Sequence, residues 1–213
     1  MKKMLVLVPL VPSSAWAAAV PFTYNYTFAT PADQALWTVT TNNDANGPGV
    51  PQYGVPDPTS VRIQPIDSST KNTGDIRLYM TVTAPSGFTF SDLKFSGIGE
   101  GYTSHVDWAD VLLSPDGNWG TSNTNPNVVY ARAGSGYTEV PITADASSDA
   151  LFNGLSTVYL QIRIVDALGV GNPATNSPYV RALSLTGDLN AVPEPTTLGC
   201  LSMSTLLLAR RRH

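Results

Sequence analysis

Apolar and polar residues alternate with a period of two along most of the chain, and this alternation predicts β-strands with one buried face each. The alternation is cleanest over Thr157–Asp166, where Val158, Leu160, Ile162 and Ile164 are predicted to face inward. It begins at Phe22, with four inward aromatic positions at Phe22, Tyr24, Tyr26 and Phe28. The other predicted strands cover residues 37–40, 61–66, 76–84, 88–96, 106–113, 128–133, 138–142 and 179–189.

Several interruptions of this pattern predict turns and irregular segments. A phase shift between Phe90 and Leu93 indicates a β-bulge. The polar, Gly- and Pro-rich segment 41–58 is predicted to be a loop, and Ser-Pro-Asp-Gly-Asn-Trp at 114–119 supplies hairpin turn chemistry. One or two helical turns are predicted within 144–152, with Asp145 near the N-cap.

The segment Gly-Ile-Gly-Glu-Gly at 97–101 is rich in glycine but does not lead into a helix. A phosphate-binding loop requires a helix at this point, so the glycines predict a turn.

Many short strands and no long amphipathic helix predict an all-β fold, an antiparallel β-sandwich of jelly-roll or galactose-binding-like type over residues 20–190. We expect its first and last strands to pair. The segments 108–119 and 159–163 resemble parts of galactose-binding-like and discoidin-like sandwiches. This resemblance implies no individual binding residue.

The N-terminus has the three parts of a secretory signal peptide. Two lysines precede an apolar run over 4–11, and Ala15-Trp-Ala17 offers the small-x-small pattern that signal peptidase recognises. We therefore predict a signal peptide over 1–17, cleaved after Ala17 or, alternatively, after Ala19.

The C-terminus begins with Pro193, Glu194 and Pro195, which predict an extended, exposed segment because each proline fixes its own φ. Residues 198–209 are uncharged and predict a single transmembrane helix. Spanning a bilayer takes about 20 residues, so this helix is short and needs the flanking side chains to reach the interface.

Arg210, Arg211 and Arg212 end the apolar run and predict that its C-terminal end stays on the cytoplasmic side. The series of Pro-Glu-Pro, apolar helix and arginine cluster resembles the PEP-CTERM sorting signal of exported bacterial proteins, over residues 192–213. The resemblance implies recognition at Pro-Glu-Pro by an exosortase, a membrane protease-transpeptidase. It also implies transient membrane anchoring, followed by release or attachment at the cell surface or in the extracellular matrix.

Composition and charge narrow the function classes. Charged residues make up 13% of the chain and the net charge is −4. Apart from the terminal arginines, the sequence has no basic segment that could follow a phosphate backbone. Nucleic acid is therefore not expected as a partner. Cys200 is the single cysteine and lies in the predicted transmembrane helix. We interpret it as a small side chain of that helix or, alternatively, as a lipidation site.

Two segments carry groups that bind cations in other proteins. Residues 42–47 match the first half of a calcium loop, but Tyr53 stands where a bidentate glutamate is required. His105 and Asp107 share one strand face and amount to half a metal site. A polar surface loop and a strand edge are the favoured interpretations, and no metal or cofactor is predicted.

Catalysis has little support. No spacing singles out a pair among the carboxylates that could serve glycoside hydrolysis, which are Glu100, Asp107, Asp110 and Glu139. The two histidines, His105 and His213, are not accompanied by a nucleophile elbow around any serine. We therefore predict no catalytic residues and no enzyme activity.

Trp108 and Trp119 flank the predicted hairpin, and exposed aromatic rings stack on sugars in binding modules, although sandwich cores also use large aromatics. The leading hypothesis is an exported, non-enzymatic structural or adhesive protein. The alternative is a carbohydrate-binding module that contacts extracellular polysaccharide through these tryptophans. A glycan-cleaving enzyme is a third hypothesis.

Overall fold

The structure, a computed structural model, describes residues 18–42, 49–65, 74–101, 108–119, 125–133, 136–166 and 178–192. Within these residues it contains eleven β-strands, one helical turn and one 3-10 turn. The elements are β1 Val20–Tyr26, α1 Pro31–Gln34, β2 Thr38–Asn42, β3 Gly49–Tyr53, β4 Val61–Pro65, β5 Gly74–Thr83, β6 Phe88–Gly101, β7 Trp108–Ser114, β8 Val129–Ala133, β9 Gly136–Asp145, the 3-10 turn Ala150–Phe152, β10 Thr157–Asp166 and β11 Tyr179–Ala191.

The strands form two antiparallel sheets that pack as a sandwich, which confirms the predicted all-β class. The six-stranded sheet has the order β3-β4-β11-β6-β9, with β1 also paired to β11, and the five-stranded sheet has the order β2-β5-β10-β7-β8. Val20 to Tyr26 pair with Leu189 to Leu183. The expected pairing of the first and last strands is therefore confirmed.

The core lies between the sheets and is filled by every second residue of the strands. In β10 the four predicted inward residues, from Val158 to Ile164, are completely buried. Phe90 and Phe95 of β6, Phe28 before α1 and Phe152 are the largest fully buried side chains of this core. The period-two pattern thus predicts the buried face of β10 correctly, a strand that has a neighbour on each side.

The inward prediction is wrong for Tyr24, which is 36% exposed. Phe22 and Tyr26 on either side of it are half-buried and pack against the core. Among the described residues β1 pairs with β11 alone. This edge position leaves room for solvent around the middle of the strand.

The predicted loop over 41–58 contains the edge strand β3, which pairs antiparallel with β4. Pro51 weakens the sequence pattern of a strand, because proline has no N–H to donate to a β-ladder hydrogen bond. An edge strand tolerates proline, since one of its sides has no partner strand. The loop prediction is therefore wrong over β3.

The turn predicted over 97–101 is also wrong, because this segment continues β6. Gly97 and Gly99 occupy the inward positions that follow Leu93 and Phe95. A Cβ on Gly99 would lie 2.7 Å from the Cβ of Ala133. Gly99 permits the close approach of β6 to β8 of the other sheet, and the segment does not change the direction of the chain.

The β-bulge predicted between Phe90 and Leu93 is confirmed. The register between β6 and β11 shifts at this point, and Asp92 has a φ of 52°. The extra residue returns Leu93 and Phe95 to the core face.

Helical structure within 144–152 is a single 3-10 turn that begins later than predicted. Residues up to Asp145 belong to β9, and the 3-10 turn begins at Ala150. Its N-cap is Asp149, whose carboxylate accepts a hydrogen bond of 2.9 Å from the Leu151 amide. Asp145 instead accepts from the amide of Ser147, at 3.0 Å, so its assignment near the N-cap is wrong.

Both terminal predictions lie outside the described residues and stay predictions. These are the signal peptide with Ala15 and Ala17, the Pro193-Glu194-Pro195 motif, the helix that follows it, and Arg210, Arg211 and Arg212. Within the part of the chain that the structure describes, no helix has the length and apolarity needed to cross a bilayer.

Candidate functional site

The outer face of the five-stranded sheet carries an unusual set of aromatic and charged side chains. Because side chains alternate across a strand, the residues between the core positions of β5, β7 and β10 point to this face. The antiparallel register aligns them in rows that cross the strands. They are Arg77, Tyr79, Thr81, Trp108, Asp110, Leu112, Tyr159, Gln161 and Arg163.

At one end of this face, three aromatic residues line an open groove of about 470 Å³. Tyr79 comes from β5, Tyr159 from β10 and Trp119 from the segment after β7. The rings of Tyr79 and Trp119 lie 5.8 Å apart, centroid to centroid, at 49°. The remaining lining residues are Leu36, Thr38, Met80, Thr81, Asp116 and Gly117.

The turn after β7 positions Trp119. The hydroxyl of buried Ser114 donates to the Asp116 carboxylate at 3.0 Å and accepts from the Gly117 amide at 3.0 Å. The same carboxylate accepts from the amide of Asn118, at 2.9 Å. These bonds confirm the predicted turn, although the whole connection from β7 to β8 is longer than a two-residue hairpin.

Gly117 brings this turn against the aromatic floor of the groove. Its φ is 74°, a conformation that favours glycine, and a Cβ at this position would lie 3.2 Å from the Tyr159 ring. Ser114 is also the cross-strand partner of Tyr159. Register and turn chemistry together place Tyr159 and Trp119 in one groove.

A row of charged residues crosses the sheet beside the groove. Arg163 pairs in register with Arg77 on one side and Asp110 on the other, and Asp110 pairs with Arg132 of β8. Asp75 lies two residues before Arg77 and completes the set. We call these five residues the arginine row.

Two buried carboxylates hold the three arginines. Asp75 accepts hydrogen bonds of 2.8 Å from the Nη2 atoms of Arg77 and Arg163, and Asp110 accepts bonds of 2.7 and 2.8 Å from Arg132. Burial raises the pKa of Asp75, but the hydrogen bonds and positive charges of Arg77 and Arg163 outweigh it and hold the pKa below its usual value. The carboxylate is therefore ionised at neutral pH.

Trp108 packs against the arginine row and does not line the groove. The guanidinium carbon of Arg132 lies 4.4 Å from the centre of its ring, and that of Arg163 lies 5.7 Å away. Its buried Nε1 has no hydrogen-bond partner among the described residues. Trp108 and Ser114 stand at opposite ends of β7, about 20 Å apart, so the two tryptophans predicted as ligand-binding occupy separate places.

The structure brings Glu100 and Glu139 together at one tyrosine but keeps both apart from Asp110. Asp110 is buried on the five-stranded sheet, whereas Glu100 and Glu139 lie on the six-stranded sheet, where both interact with Tyr179. Asp107 and His105 lie outside the described residues, as do residues 43–47 of the calcium-like loop. Among the residues that are described, no group of three His, Cys, Asp or Glu side chains could hold a metal ion.

Glu139 is bound tightly by its neighbours. Arg181 donates from Nε at 2.8 Å and also from Nη2, and Tyr179 donates from its hydroxyl. The hydrogen bonds from Arg181 and then Tyr179 lower the pKa of Glu139 from 4.5 to about 2. Glu139 is thus a fixed carboxylate and is unsuited to donating a proton near neutral pH.

Glu139→Gln should reduce the stability of the domain in a pH-dependent way. A lowered folded-state pKa stabilises the fold fully above pH 4.5, and this contribution is lost as the pH falls towards about 2. Thermal unfolding across this range should show the difference between the two proteins shrinking as the pH falls. A difference that stays constant down to about pH 2 would contradict the role given to this carboxylate.

No protein-family model matches the sequence, and no curated protein matches it. Solved structures do resemble it at low identity. A xylan-binding module, CBM15, has 9% identity and a TM-score of 0.45, over 82% of this chain and 99% of the module. The K1 cleaved adhesin domain of Lys-gingipain from Porphyromonas gingivalis has 14% identity and a TM-score of 0.42, over 82% of this chain and 99% of that domain.

The enzymatically active domain of tailspike protein 4 from bacteriophage CBA120 has 12% identity and a TM-score of 0.35. That match covers 76% of this chain, which spans 19% of the tailspike chain. At these identities and TM-scores none of the three proteins assigns a ligand to this chain.

Tyr79 and Tyr159 are groove residues that the sequence reasoning did not identify. The signal was present, since Tyr159 falls on the predicted outward face of its strand and Tyr79 lies between the inward residues Leu78 and Met80. Aromatic residues at outward strand positions are the feature that could have found them.

Proposed function

We propose that this protein is a non-enzymatic carbohydrate-binding protein and that the groove between Tyr79, Trp119 and Tyr159 is its binding site. The observation that carries the proposal is the convergence of three aromatic residues from separate elements in one open groove of about 470 Å³. Sugar rings present apolar C–H faces and hydroxyl edges, and such a groove offers matching surfaces to both.

The composition of the groove supports a sugar better than a purely apolar ligand. Tyrosine and tryptophan combine apolar ring faces with a polar tip. The rim adds the hydroxyls of Thr38 and Thr81 and the carboxylate of Asp116. A few polar groups around an apolar floor are typical of sites that orient a small ligand.

The groove is held in shape by the protein itself. The hydrogen bonds from Ser114 and Asp116 fix the turn that carries Trp119, and the Gly117 backbone packs against Tyr159. A site that is already ordered loses less conformational freedom when a ligand binds. This favours recognition through a fixed platform.

Binding is favoured over hydrolysis by the state of the carboxylates. Glycoside hydrolases use a pair of carboxyl groups on either side of the scissile bond. Among the described residues that line the groove, Asp116 is the only carboxylate, and Asp110 and Glu139 are engaged with Arg132 and Arg181. This arrangement supports a binding role on a galactose-binding-like or jelly-roll scaffold.

We further propose that the domain works outside the cytoplasm. The predicted signal peptide over 1–17 and the predicted sorting signal over 192–213, with an exosortase as partner, motivate this setting. Reporter fusions that carry residues 192–213 should partition with membranes or the cell surface in a host that has an exosortase. A fusion that behaves like the untagged secreted reporter would contradict the sorting signal.

Affinity electrophoresis of the full chain through gels that contain single polysaccharides tests the binding proposal. We expect retardation by at least one polysaccharide, accompanied by a change in tryptophan fluorescence and no release of reducing sugar. Absence of retardation by every neutral and acidic polysaccharide would overturn it, and release of reducing sugar would overturn the non-enzymatic assignment.

A further inference from the structure

We propose that the carbohydrate is acidic, and that Arg77 and Arg132 bind its carboxylate or sulfate groups while a neighbouring sugar ring lies in the aromatic groove. This inference rests on the proposed function, because it names the class of polysaccharide that the same face would recognise. It is carried by the position, orientation and charge of the arginine row.

The arginine row lies within reach of a ligand in the groove. Arg77 precedes Tyr79 by two residues on the same face of β5, which places their Cα atoms about 7 Å apart. Arg77 also forms a side-chain hydrogen bond with Tyr79. Arg132 is three strands away from Arg77 in the sheet, about 14 Å, so the row is long enough to follow a polymer.

In the arginine row, the side chains of Arg77 and Arg132 are partly exposed to solvent, whereas the carboxylates are buried. The side chains of Arg77 and Arg132 are 24% and 37% exposed, whereas those of Asp75 and Asp110 are 4% and 0% exposed. Three guanidinium groups and two carboxylates leave one net positive charge, on a chain whose overall charge is −4. The local surface therefore attracts anions although the whole chain does not.

Asp116, the carboxylate on the groove rim, does not cancel this charge. Asp116 lines the groove together with Tyr159. The Cα atoms of Tyr159 and Arg163 are four residues, or about 13 Å, apart along β10. This distance exceeds the Debye length of about 8 Å at physiological salt. An acidic group beside Arg77 or Arg132 would experience mainly the arginines.

Arg77 and Arg132 each bind their buried carboxylate through Nε and Nη2, and Arg77 makes one further hydrogen bond with Tyr79. Between described residues, the Nη1 atom of Arg132 makes no further bond. A guanidinium carries five N–H donors in a planar fork, so the outer edge can still take a carboxylate or sulfate in a bidentate manner.

Trp108 fixes the orientation of that outer edge. The guanidinium of Arg132 lies over its ring at 4.4 Å, and Arg163 approaches the same ring at 5.7 Å. Cation–π stacking and the buried carboxylates restrain side chains that are otherwise among the most flexible. An anion meeting these arginines therefore has less disorder to remove on binding.

Polymers that differ only in charge test this inference on the full chain. Polygalacturonate and its carboxyl-reduced form isolate the carboxylate, and dextran sulfate and dextran isolate the sulfate. We expect one acidic polymer to bind about tenfold or more tightly than its neutral parent in about 0.05 M sodium chloride. The difference should shrink in about 0.5 M salt, where charge attraction is screened.

Arg77→Gln is the informative variant, because Asp75 keeps Arg163 as a partner and the buried carboxylate is not left unpaired. Arg181→Gln removes an equal charge from the six-stranded sheet, at a side chain of similar exposure, 28%. We expect Arg77→Gln to lower the affinity for the acidic polymer about fivefold or more and Arg181→Gln to leave it unchanged. Arg77→Lys, which keeps the charge but not the fork, should fall between wild type and Arg77→Gln.

The outcomes separate this inference from the proposed function. Equal, salt-independent binding of acidic and neutral polymers would overturn the acidic assignment. The groove proposal would still stand if Trp119→Ala weakens that binding about tenfold or more. Equal losses in Arg77→Gln and Arg181→Gln would overturn the assigned role of the row, because they would indicate attraction by overall charge. Failure to bind these four polymers and every other polysaccharide tested by affinity electrophoresis would overturn the proposed function itself.

Discussion

Trp119→Ala is expected to lower the affinity for the recognised polysaccharide about tenfold or more while leaving the fold intact. Trp119 is only partly buried and forms one wall of the groove, 5.8 Å from Tyr79. An aromatic anchor of this kind contributes about 2 kcal/mol or more to binding, and 1.4 kcal/mol corresponds to a factor of about ten. Its truncation removes contact area without opening the core.

Titration calorimetry or affinity electrophoresis with a polysaccharide that retains the wild type measures this effect. Trp119→Phe keeps an aromatic face and should lose less affinity. Tyr24→Ala removes an exposed aromatic side chain from the edge of the other sheet and should change nothing. If Trp119→Ala binds as tightly as Tyr24→Ala, the groove is not the binding site.

Gly99→Ala is expected to destabilise the domain by about 1–3 kcal/mol, although it adds a single methyl group to a strand. The new Cβ would lie 2.7 Å from the Cβ of Ala133 and 2.9 Å from Cδ1 of Ile142. Contacts this short force neighbouring atoms apart in an interior that is packed as densely as a crystal. The predicted cost comes from strain rather than from a lost interaction.

Urea unfolding of single and double variants tests this cause. Gly97→Ala should be milder, because its nearest contacts would be side-chain atoms of Val180 and Leu183 at 3.1 Å. Ala133→Gly removes the methyl group that Gly99→Ala meets, so the double variant should be more stable than the sum of the two single losses predicts. Simple additivity would show that the close approach at Gly99 is not responsible.

The regular strands could be predicted from the sequence because one face of each strand lies in the core and the other does not. β10 alternates apolar and polar residues over its whole length, and its predicted bounds match the observed strand. The bulge near Asp92 was predictable for the same reason, since an inserted residue shifts the phase of an otherwise regular pattern. Local periodicity is sufficient where a strand has both neighbours and its inward positions carry apolar side chains.

Other features of the fold could not be predicted, because glycine and proline carry no hydrophobic signal. The end of β6 places Gly97 and Gly99 at core positions where an added Cβ would lie 3.1 Å and 2.7 Å from its nearest neighbour. β3 contains Pro51 and is an edge strand that pairs with β4. In each case the partner strand, which is remote in sequence, decides the conformation.

The groove was predictable in part. Trp119 was identified from its position beside a turn, whereas Tyr79 and Tyr159 come from strands that are 80 residues apart in sequence and adjacent in the sheet. The arginine row depends in the same way on the order β5-β10-β7-β8. A single sequence gives the outward face of each strand but not which strands are neighbours.

The pairing of β1 with β11 also decides how the domain can be presented. Val20 lies opposite Leu189, so the chain enters and leaves the sandwich on the six-stranded sheet, whereas Tyr79 and Tyr159 lie on the far side of the other sheet. A reporter, bead or sensor surface coupled beyond either of these two strands would be attached on the side of the six-stranded sheet. The aromatic side would then be left accessible to a polymer as large as a capsule or a matrix fibre.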